Sequence, residues 1–425
     1  MNASKIVTPV ACAAAAQRLR WRRRVGRRGS VGIDLPIVQA LADKSLVRLE
    51  SVDDGRRVRL LETVREYATM LLTAADEFND AQQRRLAWCV ALAEAASPQL
   101  HSAEQTRWLQ RLEPERYNFY TAIHFSITQR DIVSPIRIVV ALRHFFVARS
   151  HLAEIAPWLD IIEFEASSLE IDPGLWARFL NCKGTITFYR AGYDLASACF
   201  LAALTSAGKA DNRREFAYAL DGLGVLAVNS GDLNAARRFS QASLELSTAV
   251  GDHWLVGITR MNLGEIARME GDIAVATAHY LACLGHLQLA GDPYFIAVAE
   301  INLAQVYLHQ GDLLRAEAVL RQALVSGLQA ESVQVVAPAL EKLAGVLCDR
   351  NAASARHLFS LALGVRQVSG VTVQPVDRQD YAQLAAQLQP LLELANGMNL
   401  LAEDARINWR SIQTAVHATL EQRTS

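Results

Sequence analysis

The side chains in this sequence that could share a metal or a proton are first of all its histidines. His144/His151 and His279/His286 each stand seven apart, so each pair could lie on one helix face. A metal ion needs at least a third ligand fixed nearby, and the sequence offers neither H-E-x-x-H nor a Cys/His cluster. They read as ordinary polar or half-buried histidines. No G-x-S-x-G elbow and no EF-hand loop occurs. The only Gly-Lys pair, Gly208-Lys209, is followed by Ala210 and lacks the upstream glycine of a phosphate loop, so nucleotide binding has no support. The expectation is a chain with no catalytic residues, no cofactor and no metal.

The six cysteines (12, 89, 182, 199, 283, 348) form no C-x-x-C, which suggests reduced, buried thiols and a cytoplasmic protein. The formal net charge of −1 conceals an imbalance. Residues 1–33 hold Lys5 and seven arginines (18, 20, 22, 23, 24, 27, 28) with no acid, leaving 35 basic and 44 acidic side chains beyond them. Polyanion binding would therefore fall to this basic head, Arg22, Arg23 and Arg24 above all. The head does not parse as a secretory signal; its composition suits a transit peptide better, and it is read as a poorly ordered start. No uninterrupted apolar run approaches the ~18 residues of a membrane span, so no membrane partner is expected.

What would position any site is a repeat. Gly-Asp recurs at 231–232, 251–252, 271–272, 291–292 and 311–312, 20 residues apart without a slip. A glycine just past a helix supplies the left-handed conformation that ends it, and the aspartate can cap the next helix. Small residues return every 40 positions, as Gly184, Gly224, Gly264, Ala304, Ala344 and as Ala156, Ala196, Ala236, Ala276, Ala316. Between them the second helix carries an apolar stripe with steps of 3, 4, 3 and 1, for example Ile273, Ala276, Tyr280, Cys283 and Leu284. The spacing predicts an all-α solenoid of 40-residue helix pairs. Four clear units span about 174–365, after a degenerate one at 134–170.

The small residues together with LDGLGVLA and MNLGEIA resemble the tetratricopeptide repeat in a longer-helix variant. Ahead of the array, a helix runs into LVRLE, turns at Asp53-Asp54-Gly55 and returns as RVRLL, with Val47 and Leu49 facing Val58 and Leu60. This is the second half of a winged helix. ALADKSLVRLE, RLLETVREYA and WLQRLEPERYNF, followed by the repeats, resemble the C-terminal half of bacterial NB-ARC-like (STAND-type) signalling ATPases and LuxR-type transcriptional regulators, over about residues 37–420. The phosphate-loop ATPase and the DNA-binding domain of that family are missing. The chain thus reads as a fragment, a degraded copy, or a protein whose ATPase partner domain is on a separate chain.

The expected organisation is a basic head (1–33), a partial winged helix (34–75), a helical linker and leading cap (76–133), tetratricopeptide-like repeats (134–365) and a C-terminal helical cap (366–425). The expected function is a non-enzymatic interaction or regulatory module of a bacterial signalling or transcriptional regulator. A protein or peptide partner would sit in a groove lined by Arg178, Asn181, Phe188, Tyr218, Asp221, Met261, Glu265, Arg268, Gln305 and His309. The alternatives are a DNA-binding regulator using the head and the wing arginines Arg56 and Arg57, or a truncated remnant of a signalling ATPase.

Overall fold

The computed structural model describes residues 35–52, 55–369, 378–393 and 409–421. Arg22, Arg23 and Arg24 of the basic head, and Asp53 and Asp54 of the expected turn, lie outside the described residues. The chain forms two compact units, one from residues 1–93 with 115–138, the other from 94–114 with 139–425. The expected helical linker and leading cap (76–133) is thus divided between them.

In the first unit α1 (Leu35–Asp43) leads into an antiparallel hairpin of β1 (Val47–Val52) and β2 (Gly55–Leu60). Val47 pairs with Leu60 and Leu49 with Val58, so alternation puts the apolar residues on one face, against Val38 of α1. Arg56 and Arg57 stand on β2 opposite Ser51 and Glu50. α2 (Glu62–Ala74), α3 (Phe78–Ala96), α5 (Arg116–Thr128) and most of α6 (Val133–Ala141) complete this part, α4 (Gln105–Leu112) belonging to the second unit. The Cys89 thiol donates to the Asn118 carbonyl.

The second unit contains five full helix pairs rather than four. They are α9/α10 (Pro173–Tyr189, Tyr193–Lys209), α11/α12 (Arg213–Ser230, Leu233–Ala249), α13/α14 (His253–Met269, Ile273–Ala290), α15/α16 (Pro293–His309, Leu313–Gln329) and α17/α18 (Val333–Leu347, Ala352–Ser369). Before them the degenerate unit has its first helix broken, into α6 and α7 (Arg143–Ala148), with α8 (Leu152–Ala166) carrying Ala156. The punctuation works as its chemistry requires. Gly231, Gly251, Gly271, Gly291 and Gly311 all take left-handed φ between 70° and 83°. Asp232, Asp252, Asp272, Asp292 and Asp312 each accept a backbone N–H from the first turn of the next helix. The same backbone recurs without glycine at Ala191, Asp211 and Glu331, on the same 20-residue grid, at φ of 61°, 48° and 48°.

Ala196, Ala236, Ala276 and Ala316 are fully buried at equivalent places in the second helices. The glycines opposite them leave room for the side chain four positions further along. A Cβ on Gly184 would meet the Phe200 ring at 2.8 Å, and one on Gly264 would meet Tyr280 at 2.8 Å. Where the ring is replaced by Ser240, the Gly224 position still leaves only 2.8 Å. Bulk and void are therefore matched unit by unit. α14 is long and apolar enough by length and composition to cross a membrane, yet Ala276, Tyr280, Cys283 and Leu287 on it are buried against its neighbours in the array. Beyond the repeats α19 (Arg378–Glu393) and α20 (Trp409–Glu421) add Leu388, Ile412 and Val416 to the core that runs through α13–α18.

Candidate functional site

Position two of the first helices α11, α13, α15 and α17 forms a rim along the array: Arg214, Trp254, Tyr294 and Gln334. Neighbouring rim residues touch, as where the Tyr294 hydroxyl donates to Gln334 Oε1 at 3.1 Å. Against this rim lies a piece of the same chain, the 3-10 turn Ser97–His101 followed by α4. Thr106 donates to the Gln329 carbonyl, and Gln110 Nε2 lies 2.7 Å from Glu331 Oε1. Leu100, Gln105, Leu109 and Leu112 of the segment are buried.

The docking centres on Asp292, which is fully buried. Its Oδ1 accepts from Gln105 Nε2 at 2.9 Å and from the backbone N–H groups of Tyr294 and Phe295 at 3.1 and 3.2 Å. Its Oδ2 accepts from Trp254 Nε1 at 3.0 Å and faces His101 Nδ1 at 3.2 Å. Burial works to raise the pKa of this carboxyl, but the His101 hydrogen bond, the neighbouring imidazoles of His144 and His101 and the N–H of Phe295 outweigh it and hold the pKa below its usual value. Beside it His144 is buried, with Nε2 3.1 Å from Gln105 Nε2. Burial, helped by His101 and Arg143, pushes its pKa down to about 3, so the imidazole is neutral and accepts from the amide. His101 packs edge-on to His144 at 4.7 Å and tilted over Trp254 at 4.3 Å. Trp254 in turn stacks parallel to Tyr218 at 6.2 Å, and the Arg143 guanidinium lies 4.1 Å over the Tyr218 ring.

Between segment and rim a cavity of about 320 Å³ opens, lined by Ser97, Pro98 and His101 on one side and by Arg143, His144, Arg178, Arg214, Trp254 and the carboxylate-bearing Glu215 on the other. Arg214 is engaged by Asp252 at 2.7 Å and by the buried Glu215 at 3.2 Å.

Of the groove residues expected from the sequence, Arg178 lines this cavity and Tyr218 stands beside it beneath Arg143. The rest are engaged within the repeats or between neighbouring ones. Asn181, Asp221 and Met261 occupy one position in three successive units and are buried there. Asn181 donates to Glu215, and Asp221 accepts from Thr259 and Asn262 of the next unit. Burial pushes Asp221 up to about 6 despite those two donors. Glu265 pairs with Arg268 and accepts from the Tyr280 hydroxyl; Gln305 accepts from Lys342 and, through its carbonyl, lies against His309. Phe188 packs edge-on to Tyr189. The histidines seven apart also part company. His144 enters the Asp292 cluster, whereas His151, after a left-handed Ser150 breaks the helix, lies 3.0 Å from Glu113.

No protein-family model matches the chain. Over 220 residues, half of its length, it is 27% identical to candidate HTH-type transcriptional regulators of Mycobacterium tuberculosis and Mycobacterium bovis. The match covers 24% of those proteins, so the chain spans about a quarter of the length of the curated relatives it matches. Among solved structures, the Rap conjugation gene regulator of plasmid pLS20, in complex with the Phr* peptide, aligns over 73% of this chain and 98% of its own at 11% identity and a TM-score of 0.48. A STAND protein with a tetratricopeptide repeat sensor from Pyrococcus horikoshii aligns over 97% of this chain and 62% of its own, at 12% identity and a TM-score of 0.46. The protein is an all-α array of tetratricopeptide-like helix pairs with a small N-terminal β-hairpin, distantly related over half its length to candidate transcriptional regulators.

Proposed function

We propose that the chain is a non-enzymatic regulatory module that captures a protein or peptide segment along the rim, within a bacterial signalling or transcriptional regulator. One observation carries this: the rim already holds residues 97–112 of its own chain by polar contacts that centre on Asp292 and extend to Gln329 and Glu331. A surface that orders sixteen residues this way has the features by which repeat arrays hold peptides. The partial identity with candidate HTH-type regulators supports the regulatory setting. The buried free thiols Cys89, Cys182, Cys199 and Cys283 suit the reducing cytoplasm. Any ATPase step would come from a partner domain.

A labelled synthetic peptide of residues 97–112 tests the reading. It is expected to bind a His101→Ala/Gln105→Ala chain roughly tenfold or more tightly than the wild type, whose tethered segment competes at high effective concentration. Equal binding, or none to either, contradicts the proposal. The second reading, DNA contact through the head and the β2 arginines, is favoured only by the description of the relatives. A gel shift that survives deletion of residues 1–33 and replacement of Arg56 and Arg57 removes it.

A further inference from the structure

The cavity beside the docked segment has a chemistry that the peptide contacts leave unused. The chain beyond residue 33 carries 35 basic against 44 acidic side chains, yet three arginines, from α7, α9 and α11, converge on this one wall. Arg214 is committed to Asp252 and Glu215. Among the described residues no carboxylate lies within ion-pair distance of Arg143 or Arg178, and the Arg143 guanidinium lies over the face of Tyr218 at 4.1 Å. Planar guanidinium groups left without a carboxylate are the usual partners of an oxyanion, which they grip through paired N–H donors. At about 320 Å³ the cavity is at the small end of ligand pockets, which run from ~300 to ~1,000 Å³.

We propose that this cavity, lined also by Trp254 and the Ser97–His101 turn, binds the oxyanion group, phosphate or carboxylate, of a small ligand through Arg143 and Arg178. The inference deepens the capture reading and rests on it for its regulatory meaning: an anion seated there touches both the repeats and the segment they hold.

Titration calorimetry of the full chain with inorganic phosphate and, separately, succinate tests it and tells the two anion sources apart. Saturable binding of at least one anion is expected, weakened roughly tenfold or more in Arg178→Gln and in Arg143→Gln, and unchanged in Arg237→Gln, whose partner Glu270 is remote from the cavity. Arg178 is exposed, so its replacement leaves the core intact should the Arg143 variant fold poorly. Absence of binding up to about 10 mM of both anions, or equal affinity in the Arg178 variant, overturns the proposal. Failure here with retained binding of the 97–112 peptide leaves the capture reading standing.

Discussion

Asp272 and Asp292 share a sequence context and a task, yet they do different amounts of it. Both follow a left-handed glycine and cap a helix, but Asp272 is exposed and makes only that cap, whereas Asp292 is buried and gathers His101, Gln105 and Trp254 as well. Their glycines differ in the same way. A Cβ on Gly271 would meet nothing within 4 Å, while one on Gly291 would stand 3.2 Å from the backbone nitrogen of Ala103. The repeat supplies a standard turn, and one copy of it has become a docking point because another part of the chain reaches it.

Breaking the two aspartates separately should show the largest contrast. Asp292→Ala leaves the Trp254, Gln105 and His101 donors without their acceptor, and a loss of about 3–5 kcal/mol in urea unfolding is expected. Asp272→Ala, which removes one exposed cap, should cost about 1 kcal/mol.

Acid should sharpen the same contrast. His144 is neutral in the fold with a pKa of about 3 against an ordinary 6.5, so the unfolded chain binds the extra proton between those values and stability is lost as pH falls through that window. At pH 5 this contribution amounts to about 2 kcal/mol. Asp221, raised to about 6, acts with the opposite sign, gaining on the way down, so the His144 effect is read as the difference between wild type and His144→Gln across pH 7 to 5.

The glycines give a smaller separation. Gly271→Ala should cost only the left-handed strain of about 1–2 kcal/mol, and Gly291→Ala should exceed it because its methyl group also displaces the segment at Ala103. The smallest change runs the other way: Ala191→Gly relieves a non-glycine residue at φ 61° and should raise stability by about 0.5–1 kcal/mol in thermal unfolding.

How much of this could be read beforehand follows from range. The helix pairs were legible because each Gly-Asp turn is decided by two adjacent residues and each small residue by a partner 16 positions away, as with Gly184 and Phe200. Three further turns were hidden because Ala191, Asp211 and Glu331 adopt the glycine conformation without being glycine. The site was not legible. Asp292 looks like its four siblings, and what distinguishes it comes from His101, 191 residues away. The segment 97–112 itself reads as an amphipathic helix, and nothing in that pattern names the surface it covers. Trp254 and Tyr294, 40 residues apart at position two, were the available signal.

Amide hydrogen exchange across residues 97–112, in the wild type and in Asp292→Ala, tests the central claim most directly. The account predicts slow exchange at Leu109 and Leu112 in the wild type, and fast exchange there in the variant while α13–α18 keep their protection. Equal exchange of the segment in both proteins, or unprotected amides in the wild type, would contradict it.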